Sequence, residues 1–201
     1  MEFLFPLLAL AAGFQILKGR EQRRRIQLLG RYLEQYRVEK LMQTLLEGYL
    51  RALGEDDAER RRGIWSMLKS AEEELRDQVR RLADDFSNVW GDHALVSTLP
   101  VALPYADKLF PRATFDMRRA LEIHARGIDA VVQNAAQRSE RDNAYMLTSE
   151  VLLLQHTCHW FCRSRTVATA RLLRAHQTHY AQVIGAVSAE TREAYQQLLV
   201  R

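Results

Sequence analysis

Cysteine is scarce in this chain, with two among 201 residues, Cys158 and Cys162. They stand four apart in a segment of helical periodicity, where the backbone aims the Cβ vectors poorly for a disulfide, so reduced thiols are expected. Proline (four) and glycine (nine) are also few. With long stretches of Leu, Ala, Arg and Glu, that composition points to an all-α fold. There is no internal repeat and no low-complexity tract. The catalytic and cofactor patterns that helical proteins often carry are missing as well. Without Glu-x-x-His there is no di-iron bundle signature, and without Cys-x-x-Cys-His no covalent haem; a Gly-rich phosphate loop and His-Glu-x-x-His are likewise absent.

The net charge is only +4, with a pI near 9.3. The excess gathers in a cluster after the first apolar run and in Arg163, Arg165, Arg171 and Arg174. No helix-turn-helix, zinc finger or aromatic single-strand platform accompanies it, so nucleic acid is not the expected partner.

Long apolar runs are also missing, with one exception. Residues 3–17, FLFPLLALAAGFQIL, are broken only by Pro6 and Gln15 and stop at Lys18, Arg20, Arg23, Arg24 and Arg25. As a helix the run spans roughly 22–26 Å against the ~30 Å hydrocarbon layer, a marginal span. Its apolar side chains fall all round the helix, unlike the single stripe of a surface-lying segment. A secretory leader would carry its positive charge ahead of the run, where here only Glu2 stands. Residues 18–31 hold six basic side chains against Glu21. The positive-inside rule then predicts a single-pass segment in the inner (cytoplasmic) membrane, its N-terminus outside and the bulk of the chain in the cytoplasm. The competing expectation is a buried core helix of ordinary length. Ala9 and Gly13 have the spacing with which two such helices can pack together.

The organisation expected is an anchor with its basic flank (1–25) and one α-helical domain (26–201), a bundle of five or six helices. Ile26, Leu29, Leu33 and Tyr36, then Leu41, Leu45 and Tyr49, form an amphipathic stripe able to continue from the anchor to Gly54, which is placed to end it in a left-handed conformation. Asp56 and Asp57 precede the clearest stripe: Ile64, Leu68, Ala71, Leu75, Val79, Leu82 and Phe86. Glu72 with Arg76, and Asp77 with Arg81, are spaced as ion pairs on its solvated face. Around 91–113 the pattern fails at Pro100, Pro104 and Pro111. This connection is too apolar to float free and is expected to pack on the bundle. Thr114 is the expected cap of a helix facing inward with Met117, Leu121, His124, Ile128, Val131 and Ala135; Ser139 caps the next, and Ser188 the last.

One constellation can carry chemistry. His156-Thr157-Cys158-His159-Trp160-Phe161-Cys162 holds four potential ligands, and His176 and His179 follow. On a helix Cys158, His159 and Cys162 share one side, whereas His156 points about 160° away from Cys158. A fourth ligand from His176 or His124 would suit zinc. Against this, structural zinc sites usually draw their cysteines from turns, and buried Cys and His on an apolar face are ordinary core residues.

Neither YLEQYRVEKLMQTLLEGYL nor QHTCHWFC identifies a family. The function expected is that of a membrane-tethered helical adaptor that touches lipid through residues 3–17 and works through a protein partner or self-association, without catalysis. The alternatives are a metal- or haem-binding bundle built on Cys158, His159 and Cys162, and an enzyme acting on an apolar substrate, which would need a deep pocket beside the proline-rich connection.

Overall fold

Apolar periodicity of three to four residues, renewed after each polar break, builds a chain of packed helices. The computed structural model describes residues 4–200; Phe3, where the apolar run begins, and Arg201 lie outside them. In chain order the helices are α1 (Leu4–Leu33), α2 (Val38–Leu53), α3 (Ala58–Phe86), α4 (Gly91–Ala94), α5 (Ala106–Leu109), α6 (Met117–Gln133), α7 (Glu140–Cys162), α8 (Arg165–His176), α9 (Tyr180–Ala186) and α10 (Ala189–Val200). One antiparallel ribbon pairs β1 (Leu95–Ser97) with β2 (Thr114–Asp116).

The all-α reading holds, but ten helices stand among the described residues where five or six were expected. Two of the extra ones, α4 and α5, are single turns inside the connection, which the proline pattern hides. A third arises because residues 167–187, helical throughout by their apolar pattern, break at Gln177, whose left-handed φ of 51° caps α8.

α2 packs along α3, α3 along α6, and α6 along α7. α7 is the centre of the fold, buried on most of its circumference and also meeting α1, α2, α8 and α9. The predicted α3 stripe is the face it buries, with Leu75, Val79, Leu82 and Phe86 fully enclosed. Asp57 caps α3 by accepting from the amides of Glu59 and Arg60. Ser139 caps α7, and Ser188 accepts from the Thr191 amide at the start of α10.

Several local expectations are corrected. α1 does not run on to Gly54; it ends at Leu33, and a turn sends α2 back along α3. Long-range bonds hold that turn: Tyr36 donates to Asp85, the Arg37 amide to Gln78, and the Arg37 guanidinium pairs with Glu74 at 2.9 Å. Gly54 caps α2 with φ −93°, a right-handed conformation. Asp116 caps α6, because Thr114 is engaged in β2. Glu72 does not pair with Arg76 but accepts from Tyr49 at 2.5 Å; Arg76 turns instead to Asp77 and to Asp129 of α6.

The connection packs on the bundle as its composition requires. Trp160 of α7 donates to the Ser97 carbonyl at 2.9 Å and meets the Phe115 ring edge-on, and Thr166 donates twice to the Pro100 carbonyl.

Candidate functional site

The first half of α1 belongs to no core. From Pro6 to Leu17 every residue except Gly13 is exposed; Leu7 is 66 % exposed, Leu8 58 %, Leu10 72 % and Ile16 53 %. The expectation of a buried core helix is therefore not met. Contact with the bundle begins at Lys18, where the first polar side chains arrive. Glu21 accepts from Arg25 and from the Tyr105 amide, both at 2.9 Å; Gln22 accepts from Arg163 at 2.6 Å; and Arg24 bonds His93. Of the predicted basic flank, Arg20, Arg23 and Arg24 face solvent, Lys18 is half-buried, and Arg25 is folded in, its guanidinium over the Phe161 ring. Among the described residues no helix is long and apolar enough to cross a membrane. The 18-residue stretch that starts at Leu4 already takes in Lys18, Arg20 and Glu21.

Beyond this collar lies a cavity of about 780 Å³ between α1, α2, α7 and α8. Ile26, Leu29, Leu33, Met42 and Leu154 supply most of its apolar wall. Cys158, His159, Cys162 and His176 line it together, so the structure brings four of the five residues singled out in the sequence to one surface. It leaves out His124. That imidazole is fully buried between α6 and α7, where it bonds Thr157 at 2.9 Å, and Thr157 in turn bonds Tyr195 of α10. His176 bonds Gln155 at 2.9 Å, and both cysteines are free thiols. Among the described residues no three His, Cys, Asp or Glu side chains are placed to hold a metal ion.

Burial sets the electrostatics of this wall. Burial raises the Cys158 thiol far above its ordinary value, with Cys162 and Glu39 adding to it. Burial also raises Cys162, to about 11, although Arg163, Arg171 and Arg25 pull it down. Both shifts favour the thiol over the thiolate at neutral pH. Burial lowers His159, with Arg171 and His176 adding to it, and burial alone lowers His176. The thiols and imidazoles of the wall are therefore neutral, and its two carboxylates, Glu39 and Glu47, are exposed.

Beside the proline-rich connection, where a lipid-active enzyme would need depth, the two clefts against α1 hold only about 30 and 120 Å³. The room lies one to two turns further along α1, a placement that sequence reasoning missed. Its signal was Gly30: a Cβ there would meet nothing within 4 Å. A glycine in the middle of a helix costs about 0.5–1 kcal/mol relative to Ala, which makes an uncrowded one worth explaining.

A second polar group is buried at the far side of α7. Glu150 is fully enclosed and accepts from the Ser188 amide at 3.0 Å, which fastens the start of α10 to α7. Burial raises its carboxyl above the ordinary value, against the lowering bonds from Ser188 and Thr191. Gly127 of α6 makes room for it. His156 bonds Thr169 and lies 4.5 Å from the Tyr180 ring, in the angle between α7, α8 and α9. These groups join helices and open onto no large cavity. Compared with known protein families, with curated proteins and with solved structures, the chain matches none.

Proposed function

We propose that this chain is a membrane-tethered helical interaction module: the apolar half of α1 sits among lipid acyl chains, and the basic collar holds the bundle at the headgroups. The observation that carries the reading is the exposure of Leu7, Leu8, Leu10 and Ile16 on a helix that projects past its own bundle. A contiguous apolar surface of that kind marks a lipid or partner contact. Arg20, Arg23 and Arg24 stand one to two turns further on, where an anionic surface adds about 1 kcal/mol for each basic side chain near it. From Leu4 to Leu17 the helix rises ~20 Å, enough to enter the hydrocarbon without traversing it, so the reading is a tether rather than a crossing. The bundle then lies on the cytoplasmic side of the inner membrane, whose anionic surface attracts a basic collar. There it would act through a protein partner or a second copy.

Flotation of the full-length chain on phosphatidylglycerol-containing vesicles tests this. The chain is expected to rise with the vesicles, and the double substitution Leu8→Glu with Leu10→Glu is expected to leave it at the bottom with its melting temperature unchanged. A native chain that stays at the bottom, whether as a monomer or as a soluble oligomer, contradicts the tether.

A metal-binding reading ranks second, supported by the shared wall of Cys158, His159, Cys162 and His176. Stoichiometric zinc in protein purified without a tag would promote it.

A further inference from the structure

The large cavity is elongated. Along its floor, α7, it extends from Cys162 at the collar end to Leu154, and α2 walls it from Val38 to Glu47. There Leu46, Ala175 and His176 also border a second cavity of about 380 Å³, which continues toward Leu50, Leu53 and Tyr145. A trough bounded by α2 and α8 over α7 thus follows α7 for most of its length. Its first part has the volume of a small-ligand pocket, about 300–1,000 Å³, with an apolar lining and few polar groups.

The two ends differ in charge. On α8, Arg171 stands one turn before Ala175, on the side of the helix that borders the cavity, while Arg25 and Arg163 are engaged at the collar with Glu21 and Gln22. Arg171 is exposed and has no ion-pair partner among the described residues. Glu39 and Glu47 stand on the α2 wall, Glu39 facing Cys158 and Glu47 at the end away from the collar. Ile26, 39 % exposed, sits at the collar end of the cavity, nine residues beyond the last apolar residue of the exposed run.

We infer that this trough binds one long acyl chain carrying an anionic headgroup, the chain lying along α7 and the headgroup at Arg171, one helical turn before the Ala175 that borders the cavity. A linear chain fits an elongated cavity better than a compact ring system does; the thiols and imidazoles of the wall are neutral, and the carboxylates of Glu39 and Glu47, both exposed, stay in water at its edge. The source of the ligand, the bilayer next to the collar, rests on the tether reading; the affinity of the trough for the chain does not.

The full-length chain carrying Leu8→Glu and Leu10→Glu, which removes the competing apolar surface, is titrated with dansyl-undecanoic acid. Saturable, stoichiometric binding with a blue shift is expected, together with displacement by palmitate. Affinity for unlabelled fatty acids should rise about fourfold per added methylene until the trough is full, then level off. Gly30→Phe and Met42→Trp, which fill the cavity from α1 and from α2, should each weaken binding at least tenfold, while Gly30→Ala leaves it unchanged. Arg171→Glu should weaken the acid severalfold and spare the corresponding alcohol. No saturable binding, or binding that survives both filling substitutions in chains that still melt cooperatively, overturns the inference. Binding without flotation of the native chain sinks only the tether; flotation without binding sinks only the trough.

Discussion

At the scale of the residue, the buried polar groups decide how the fold responds to pH. His124 is held down to about 3 by burial, with His156 adding to it, and His156 to about 4 by burial, with Arg165 and His159 adding to it, from an ordinary 6.5. Their folded values lie below their unfolded ones, so the unfolded chain binds more protons once the pH drops under 6.5. Each imidazole then withdraws about 1.4 kcal/mol of stability per pH unit until its folded value is reached. Glu72 and Glu150 act in the opposite direction. Their carboxyls are raised, chiefly by burial, so acidification toward their ordinary 4.5 favours the folded chain. His124→Gln removes one of these imidazoles and should therefore make the change in melting midpoint on going from about pH 7 to about pH 5 less negative than in the native chain. An unchanged pH dependence in that variant would mean that the imidazole is solvated.

Gly127 is the other residue whose identity the fold requires. A Cβ there would lie 2.2 Å from Thr191 Oγ1 and 2.7 Å from Glu150 Oε2, so Gly127→Ala must push apart the contact that fastens α10. Overpacking of this kind costs about 1–3 kcal/mol. Gly30→Ala meets nothing and should instead raise stability by about 0.5–1 kcal/mol, since it removes a flexible residue from the middle of α1. Denaturant midpoints of the two variants should shift in opposite directions. The sequence places both glycines in helices of similar pattern; only the neighbouring helices tell them apart.

At the scale of the element, α1 is two helices in one. Its first half, from Pro6 to Leu17, is apolar and exposed; its second half supplies Leu29 to the core and Arg25 to the collar. Because contact starts at Lys18, shortening the chain to begin there should leave the melting temperature within a degree or two. The same truncation should abolish flotation. A collapse of the fold on truncation would show that residues 6–17 pack somewhere against it.

How legible an element was depends on whether its cause is local. The α3 stripe from Ile64 to Phe86 could be read because burial repeats at helical spacing, and Asp57, Ser139 and Ser188 because a cap acts within three residues. The turn between α1 and α2 could not be. No glycine or proline marks it, and Tyr36 and Arg37 are held by Asp85, Gln78 and Glu74, some forty to fifty residues away. Thr114 misled for the same reason: as a cap it is plausible, but pairing with Ser97 makes it part of a strand.

At the scale of the whole molecule, α7 organises the site. One side of it carries Cys158, His159 and Cys162 into the trough; the other carries Glu150 and Thr157 into the contacts with α6 and α10. Sequence spacing placed the first three on a common side, and the fold added His176 from α8. What spacing could not supply was the open space beside them, which depends on how far apart α2 and α8 lie. His124 shows the limit from the other direction. It lies on an apolar stripe just as a ligand would, yet its stripe faces Thr157 and Tyr195.

The central claim is that the exposed half of α1 enters lipid while the bundle stays outside. A nitroxide attached at Leu10→Cys, in a full-length chain with Cys158→Ala and Cys162→Ala, reports this directly on anionic vesicles. The account predicts that collisions with oxygen rise and collisions with a water-soluble nickel chelate fall when vesicles are added, and that a nitroxide at Glu59→Cys on α3 shows neither change. Equal access of the chelate to position 10 with and without vesicles would contradict it.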